Sequence, residues 1–299
     1  MSEILNCYIN SMIDNIDQNI IPKKINLIID GGAFNCAFSS GCLNYIKQLE
    51  KMNLTKVDKI SGCSVGAILG YMYLTDTLDY IPIYYHYMVK ASRENQNLKL
   101  VHNIIKNHVK TSDYKKINNK LFITYNNIRT LNHTIISEYN SADEVIESLI
   151  RTSYIPLIID GNLEYKNKYC DGLSPFIFNK TDCNTIFISL IKMPLLKYAI
   201  YTNNDKDIWN KFFDGLEDIN YFFKNNLNKT KYCSLVDKWD AKDFILFRIR
   251  EIVSIIIVII IKYKKYFILP KDVLDNWLFK RITNILLSTI KNIVSYNIF

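Results

Sequence analysis

Two short apolar runs, each closed by a glycine turn and followed by a helix-spaced segment, limit what this chain can fold into. Residues 24–30 read KINLIID and stop at Gly31-Gly32, and residues 56–61 read KVDKIS and stop at Gly62. Runs of this length, rich in Ile and Val and bounded by glycine, fit strands of a buried sheet. After the first turn Phe38, Cys42, Tyr45, Ile46 and Leu49 recur at helical spacing; after the second a helix is predicted over 65–74. Strand, glycine turn and helix, twice over, is the order of a parallel sheet, because parallel neighbours need a crossover and a helix is the usual one.

The remaining chain extends this pattern. Residues 1–24 read as a helix and a lead-in ending at Pro22, and 75–115 as polar-aromatic helix. Residues 121–125 (LFITY) and 185–191 (TIFISLI) read as strands, and 163–169 as a weakly alternating hairpin. Ser141-Ala-Asp-Glu144 is a capping box that opens a helix to about Arg151. Beyond about residue 200 no equally clear strand remains, and Leu274, Leu278, Ile282, Ile285, Leu286 and Ile293 share one helical face. With no repeat and no Pro/Ser linker, the expected organisation is a lead-in over 1–24, an α/β domain over 25–200 and a helical region over 201–299 packed on it.

Composition excludes several classes. Hydrophobic residues make up 49% and charged residues 22%, so the chain can bury a core and is not disordered. The net charge of +8 favours anionic partners, but no basic run is long enough for a nucleic-acid tail, which leaves acidic phospholipid. The densest basic cluster is Lys262, Lys264 and Lys265. Just before it, residues 252–261 read IVSIIIVIII; as a helix they cover about 15 Å, half of a ~30 Å hydrocarbon core. The run is therefore expected to be a buried element, with a surface-seeking membrane element as the alternative. Seven cysteines form no CxxC pair and the four histidines all precede residue 134, so neither a metal site nor a cofactor is expected. Reduced thiols and a start without a long apolar core suggest a cytoplasmic protein, with peripheral membrane contact open.

The second glycine turn carries chemistry. Gly62-Cys63-Ser64-Val65-Gly66 is a G-x-S-x-G between a predicted strand and a predicted helix, the context of a nucleophile elbow with Ser64 at its tip and Gly62 and Gly66 permitting the turn. A nucleophilic serine needs a base. His86, His102, His108 and His133 lie in polar or aromatic stretches, and no histidine follows in the remaining chain. A triad through His133 or His108 is therefore forced, and a carboxylate acting directly is the other route. Asp171-Gly172 supplies a candidate, downstream of Ser153-Tyr154-Ile155-Pro156. The third element is Asp30-Gly31-Gly32-Ala33-Phe34-Asn35-Cys36, whose backbone N–H groups could hold an oxyanion. It lacks the G-x-G-x-x-G pattern and a P-loop lysine, which argues against nucleotide binding.

Together these elements resemble the patatin-like phospholipase family, which carries a D-G-G-G-x-[RK]-G loop, a G-x-S-x-G elbow and a D-G-[GA] aspartate in this order. The resemblance spans roughly residues 24–195, and Thr152-Ser153-Tyr154-Ile155-Pro156 is similar to the family's stretch before the aspartate. It implies a parallel-rich α/β sheet flanked by helices, with the helical C-terminal extension beyond it. It also implies hydrolysis of phospholipid or another lipid ester by a Ser64–Asp171 dyad, with an oxyanion hole from the N–H groups of Gly31, Gly32 and Ala33. The departures are Ala33 for the third glycine, Asn35 for the basic residue, Cys36 for the next glycine and Leu173 after Asp171-Gly172. Ala33 can still donate its N–H if its φ is negative. The alternative is a pseudoenzyme of the same fold that binds lipid or protein without turnover.

Overall fold

Every residue of β1 (Ile25–Ile29) is buried, because the strand lies mid-sheet with a parallel neighbour on each edge. The chain, seen in a computed structural model, is described over residues 2–94, 98–156, 158–178, 182–190 and 208–263. α1 (Ser2–Ile13) precedes β1. Then follow α2 (Cys36–Lys51), β2 (Val57–Cys63), α3 (Val65–Leu74), α4 (Ile81–Arg93), α5 (Leu100–His108) and α6 (Asp113–Ile117). β3 (Leu121–Asn127), β4 (Asn132–Ile136), α7 (Ala142–Thr152), β5 (Tyr169–Asp171) and β6 (Asn184–Ile188) come next. α8 (Ile208–Lys224), β7 (Cys233–Leu235) and α9 (Ala241–Tyr263) complete the described chain.

The sheet order is β4-β3-β2-β1-β6-β7, with β5 also on β3. The four central strands are parallel; β4, β5 and β7 are antiparallel additions. This is the mixed α/β architecture with a mostly parallel sheet and a helical C-terminal region that the sequence predicts. Side-chain alternation divides the core. Leu27, Ile29, Ile186 and Ile188 join the main cluster with residues of α1, α2, α3 and α8, while Ile28 and Phe187 face the other way, onto Phe247 of α9. Helices therefore cover both faces. α2 and α8 touch backbone to backbone, because Gly41 meets Phe212 and Gly215 meets Phe38 where any Cβ would collide with a carbonyl.

Two expectations are corrected. β4 and β7 lie where no strand was predicted: β4 is a polar, half-exposed edge strand and β7 has only three residues, so both depend on their partners for definition. The hairpin expected over 163–169 is present in minimal form, an antiparallel Tyr165–Tyr169 bridge closing a tight turn, and β5 starts at Tyr169. The run 252–261 is not wholly buried. It belongs to α9, where Ile252, Val253, Ile255 and Ile256 are about half exposed. Ile191, Lys264, Lys265 and the apolar face from Leu274 to Ile293 lie outside the described residues.

Candidate active site

β2 and β5 share one edge of β3, and that shared edge brings the site together. β2 runs parallel along it until Cys63 stands opposite Thr124; β5 then continues antiparallel with Asp171 opposite Tyr125. Ser64, leaving β2, and Asp171, ending β5, thus meet at adjacent rungs, at the carboxyl end of the parallel strands where α/β sheets hold their ligands. Both are buried.

Ser64 has φ 53° and ψ −133°, outside the comfortable range of an L-residue. The flanking glycines allow it. A Cβ at Gly66 would strike the carbonyls of Ile29 and Asp30, and one at Gly62 would lie 2.6 Å from the Ala67 nitrogen. The turn is held from outside: the Ser64 N–H donates to Thr152 Oγ1 at 2.8 Å, and Thr152 Oγ1 donates to the Thr124 carbonyl at 2.6 Å. Ser64 also begins α3, so the positive helix end faces it.

The Asp171 loop is fastened at several points. The Asp171 N–H donates to the Tyr154 carbonyl at 2.9 Å, and Asn126 Nδ2 donates to the Asp171 carbonyl at 2.7 Å. Gly172 packs so closely on the Thr124 carbonyl that no Cβ fits. Asp171 Oδ1 accepts from the Leu173 N–H at 2.8 Å. Burial pushes the Asp171 carboxyl up to about 6; the Ser64 hydroxyl, the Leu173 N–H and the Arg250 guanidinium pull it down, and Asp30 adds a small push upward. The Ser64 contact falls short of a full hydrogen bond, since Oδ2 has no partner of normal geometry among the described residues.

The 30–36 loop starts at Asp30, whose side chain is fully buried. Gly31 lies against Ser64, where a Cβ would come within 3.1 Å of the serine Cβ. Its N–H is directed at the Cys63 sulfur. Gly32 has φ 156°, and a Cβ there would press on Leu190. Ala33 has φ 44°, so the condition of a negative φ for its N–H is not met. Leu173 has φ 58°. Two of the motif departures, Ala33 and Leu173, thus occupy positions that require left-handed backbone, where glycine is the unstrained residue.

Next to Ser64 opens an apolar cavity of about 130 Å³. Ala33, Phe34, Val65, Met72, Met88 and Ile105 are among its walls. An apolar pocket lined this way favours hydrocarbon. The histidines are engaged elsewhere. His108 bonds Tyr84 and Thr77, His133 bonds Asn126, His102 packs on Tyr154 and Tyr165, and His86 is exposed beside Tyr87. Among the described residues no group of three His, Cys, Asp or Glu could hold a metal.

Sequence reasoning missed two residues here. Arg250 of α9 makes a two-pronged ion pair with Asp30, Nη1 to Oδ2 at 2.8 Å and Nη2 to Oδ1 at 2.5 Å, and its Nε donates to the Leu173 carbonyl at 3.1 Å. Lys211 of α8 is buried and donates to the Phe34 carbonyl at 3.2 Å and to Tyr85 Oη at 3.1 Å. Both grip the loop that lost its own basic residue at Asn35. Their only sequence signal is a cation inside an amphipathic or apolar helix, which identifies no partner.

Residues 27–133 match a family model described as patatin-like phospholipase. The match covers just over a third of the chain, from β1 into β4; it contains the 30–36 loop and Ser64 and ends before Asp171. No curated protein matches the chain.

Proposed function

Over residues 27–133 the chain belongs to the patatin-like phospholipase family, and from that premise we propose that it hydrolyses acyl esters of lipids with a Ser64–Asp171 dyad. The observation that carries this reading is the meeting of Ser64 and Asp171 on the shared edge of β3. Asp171, with its carboxyl near 6, is ionised at neutral pH yet basic enough to take a proton. Asp171 takes the Ser64 Oγ proton as the oxygen attacks the ester carbonyl. The tetrahedral oxyanion is held by backbone amides of the 30–36 loop, and the alcohol leaves with the proton. Water, deprotonated by Asp171, then attacks the acyl-serine, releasing a fatty acid and restoring the hydroxyl. The apolar cavity beside Ser64 fits the acyl chain.

The substrate class suggests how the protein reaches it. The outward face of α9 carries Ile249, Ile252, Val253 and Ile256, each about half exposed, on a chain of net charge +8. An anionic bilayer surface is the occupant we propose for that face, which backs directly onto Arg250 and the site. No described helix is long and apolar enough to cross a membrane. The pseudoenzyme reading draws on the altered loop, with Ala33, Asn35 and Cys36. Labelling with a fluorophosphonate and release of fatty acid from phospholipid test the proposal. Both are expected in the native protein and in neither Ser64→Ala nor Asp171→Asn. Lipid binding without labelling of Ser64 would favour the pseudoenzyme.

A further inference from the structure

The loop bearing the candidate oxyanion amides and the loop bearing Asp171 lie far apart in sequence, and each departs from its motif. Each also contains a non-glycine residue with left-handed backbone, Ala33 in one and Leu173 in the other. One side chain touches both loops. Arg250 spreads its guanidinium between the Asp30 carboxylate and the Leu173 carbonyl, using Nε, Nη1 and Nη2. Asp30 immediately precedes Gly31, and Leu173 lies two residues past Asp171. Such a planar fork fixes direction as well as distance, which an ammonium group cannot.

We propose that Arg250 is a positioning residue that holds the oxyanion loop and the base loop in register across the Ser64 nucleophile. This rests on the Ser–Asp reading above. Arg250 comes from α9, outside the segment that matches the family. The α9 helix presents it on an inward stripe with Phe247, Ser254, Val258 and Ile261, all buried, so its reach into the site is set by the packing of the whole helix. Arg250 also bears on proton transfer. Of the described charged groups that act on Asp171, Arg250 favours the carboxylate and Asp30 opposes it.

The test uses the full chain with Arg250→Lys, which keeps the charge and loses the fork, and Arg250→Gln, which loses both. On a soluble ester Arg250→Lys is expected to lower kcat by roughly ten- to a hundredfold, the usual effect of a small misplacement, with KM nearly unchanged and the acid limb of the pH profile in place. Arg250→Gln should lower kcat similarly and move the acid limb upward. Amide hydrogen exchange should accelerate together in peptides covering 30–36 and 171–176 of both variants, with β1 unaffected. Wild-type kcat and exchange in Arg250→Lys would overturn the proposal. So would failure to fold of both Arg250→Lys and the charge-neutral pair Asp30→Asn/Arg250→Met, since the role would then be structural. If the native protein neither turns over ester nor labels at Ser64, the catalytic reading fails, and the exchange measurement alone still decides whether Arg250 couples the two loops.

Discussion

The Ser64 backbone N–H donates to Oγ1 of Thr152 at 2.8 Å, so the residue that ends α7 sets the conformation of the candidate nucleophile. The same hydroxyl donates to the Thr124 carbonyl beside the Asp171 loop. One threonine therefore links elbow, sheet and base. Thr152→Val, nearly isosteric, leaves a buried donor and a buried acceptor unpaired. We expect it to lose about 1–3 kcal/mol of stability and at least tenfold in kcat, with Thr152→Ser close to native. Urea unfolding and ester kinetics measure both. Native behaviour of the valine variant would show that the bond has no consequence.

Asp171 predicts a trade between stability and activity. Burial raises its carboxyl to about 6, above the ordinary value of 3.8 that it regains on unfolding. Relative to the protonated form, stability is thus full below pH 4, declines between 4 and 6, and is lower by roughly 3 kcal/mol above 6, at 1.36 kcal/mol per unit. Asp171→Asn should abolish turnover and raise Tm at pH 7.5, with the gain gone at pH 4. In the native enzyme kcat/KM should fall on acidification with a midpoint near pH 6. An acid limb near pH 4, or activity in the asparagine variant, would exclude Asp171 as the base.

Left-handed backbone at Ser64, Ala33 and Leu173 gives a further expectation. Glycine adopts these angles without the penalty of a Cβ, so Ala33→Gly and Leu173→Gly should each stabilise the fold or leave it unchanged, by up to about 1 kcal/mol. Ser64→Gly should do the same while abolishing fluorophosphonate labelling. A loss of 1 kcal/mol or more in Ala33→Gly, read by thermal unfolding, would count against strain at that position.

These sites differ in how far the sequence discloses them. The elbow is legible because its causes are local: glycine on both sides of Ser64, a strand before it and a helix after it. Its helix is found where predicted, at Val65–Leu74. Asp171 is legible only through its motif, since its approach to Ser64 depends on β3, where β5 takes up the edge that β2 vacates. Arg250 is not legible at all. Its inward stripe of Phe247, Ser254, Val258 and Ile261 is hidden among isoleucines that face outward, so an unbroken apolar run conceals which side is buried. The same concealment led to the expectation of a buried 252–261.

Metal removal is expected to have no effect. The proposed chemistry uses a hydroxyl, a carboxylate and backbone amides. Turnover of a soluble ester should be the same before and after EDTA dialysis. Loss of activity that Ca²⁺ or Zn²⁺ restores would require a different mechanism.

The outer face of α9 predicts reversible, salt-sensitive binding to anionic vesicles. Ile249 and Ile256 are each about half exposed. Burying the rest of each gains roughly 1 kcal/mol, from 1.5–3 kcal/mol for a whole side chain. Replacing both by serine should therefore weaken vesicle binding about tenfold or more. Hydrolysis of a soluble ester and Tm should stay near native, because neither side chain is buried in the core. The charge contribution should appear separately, as weaker binding to zwitterionic vesicles and at high salt. Co-sedimentation measures all of these. Equal binding to both lipids, or retention through a carbonate wash, would rule out an electrostatic surface contact. Native binding by the serine pair would move the contact away from α9.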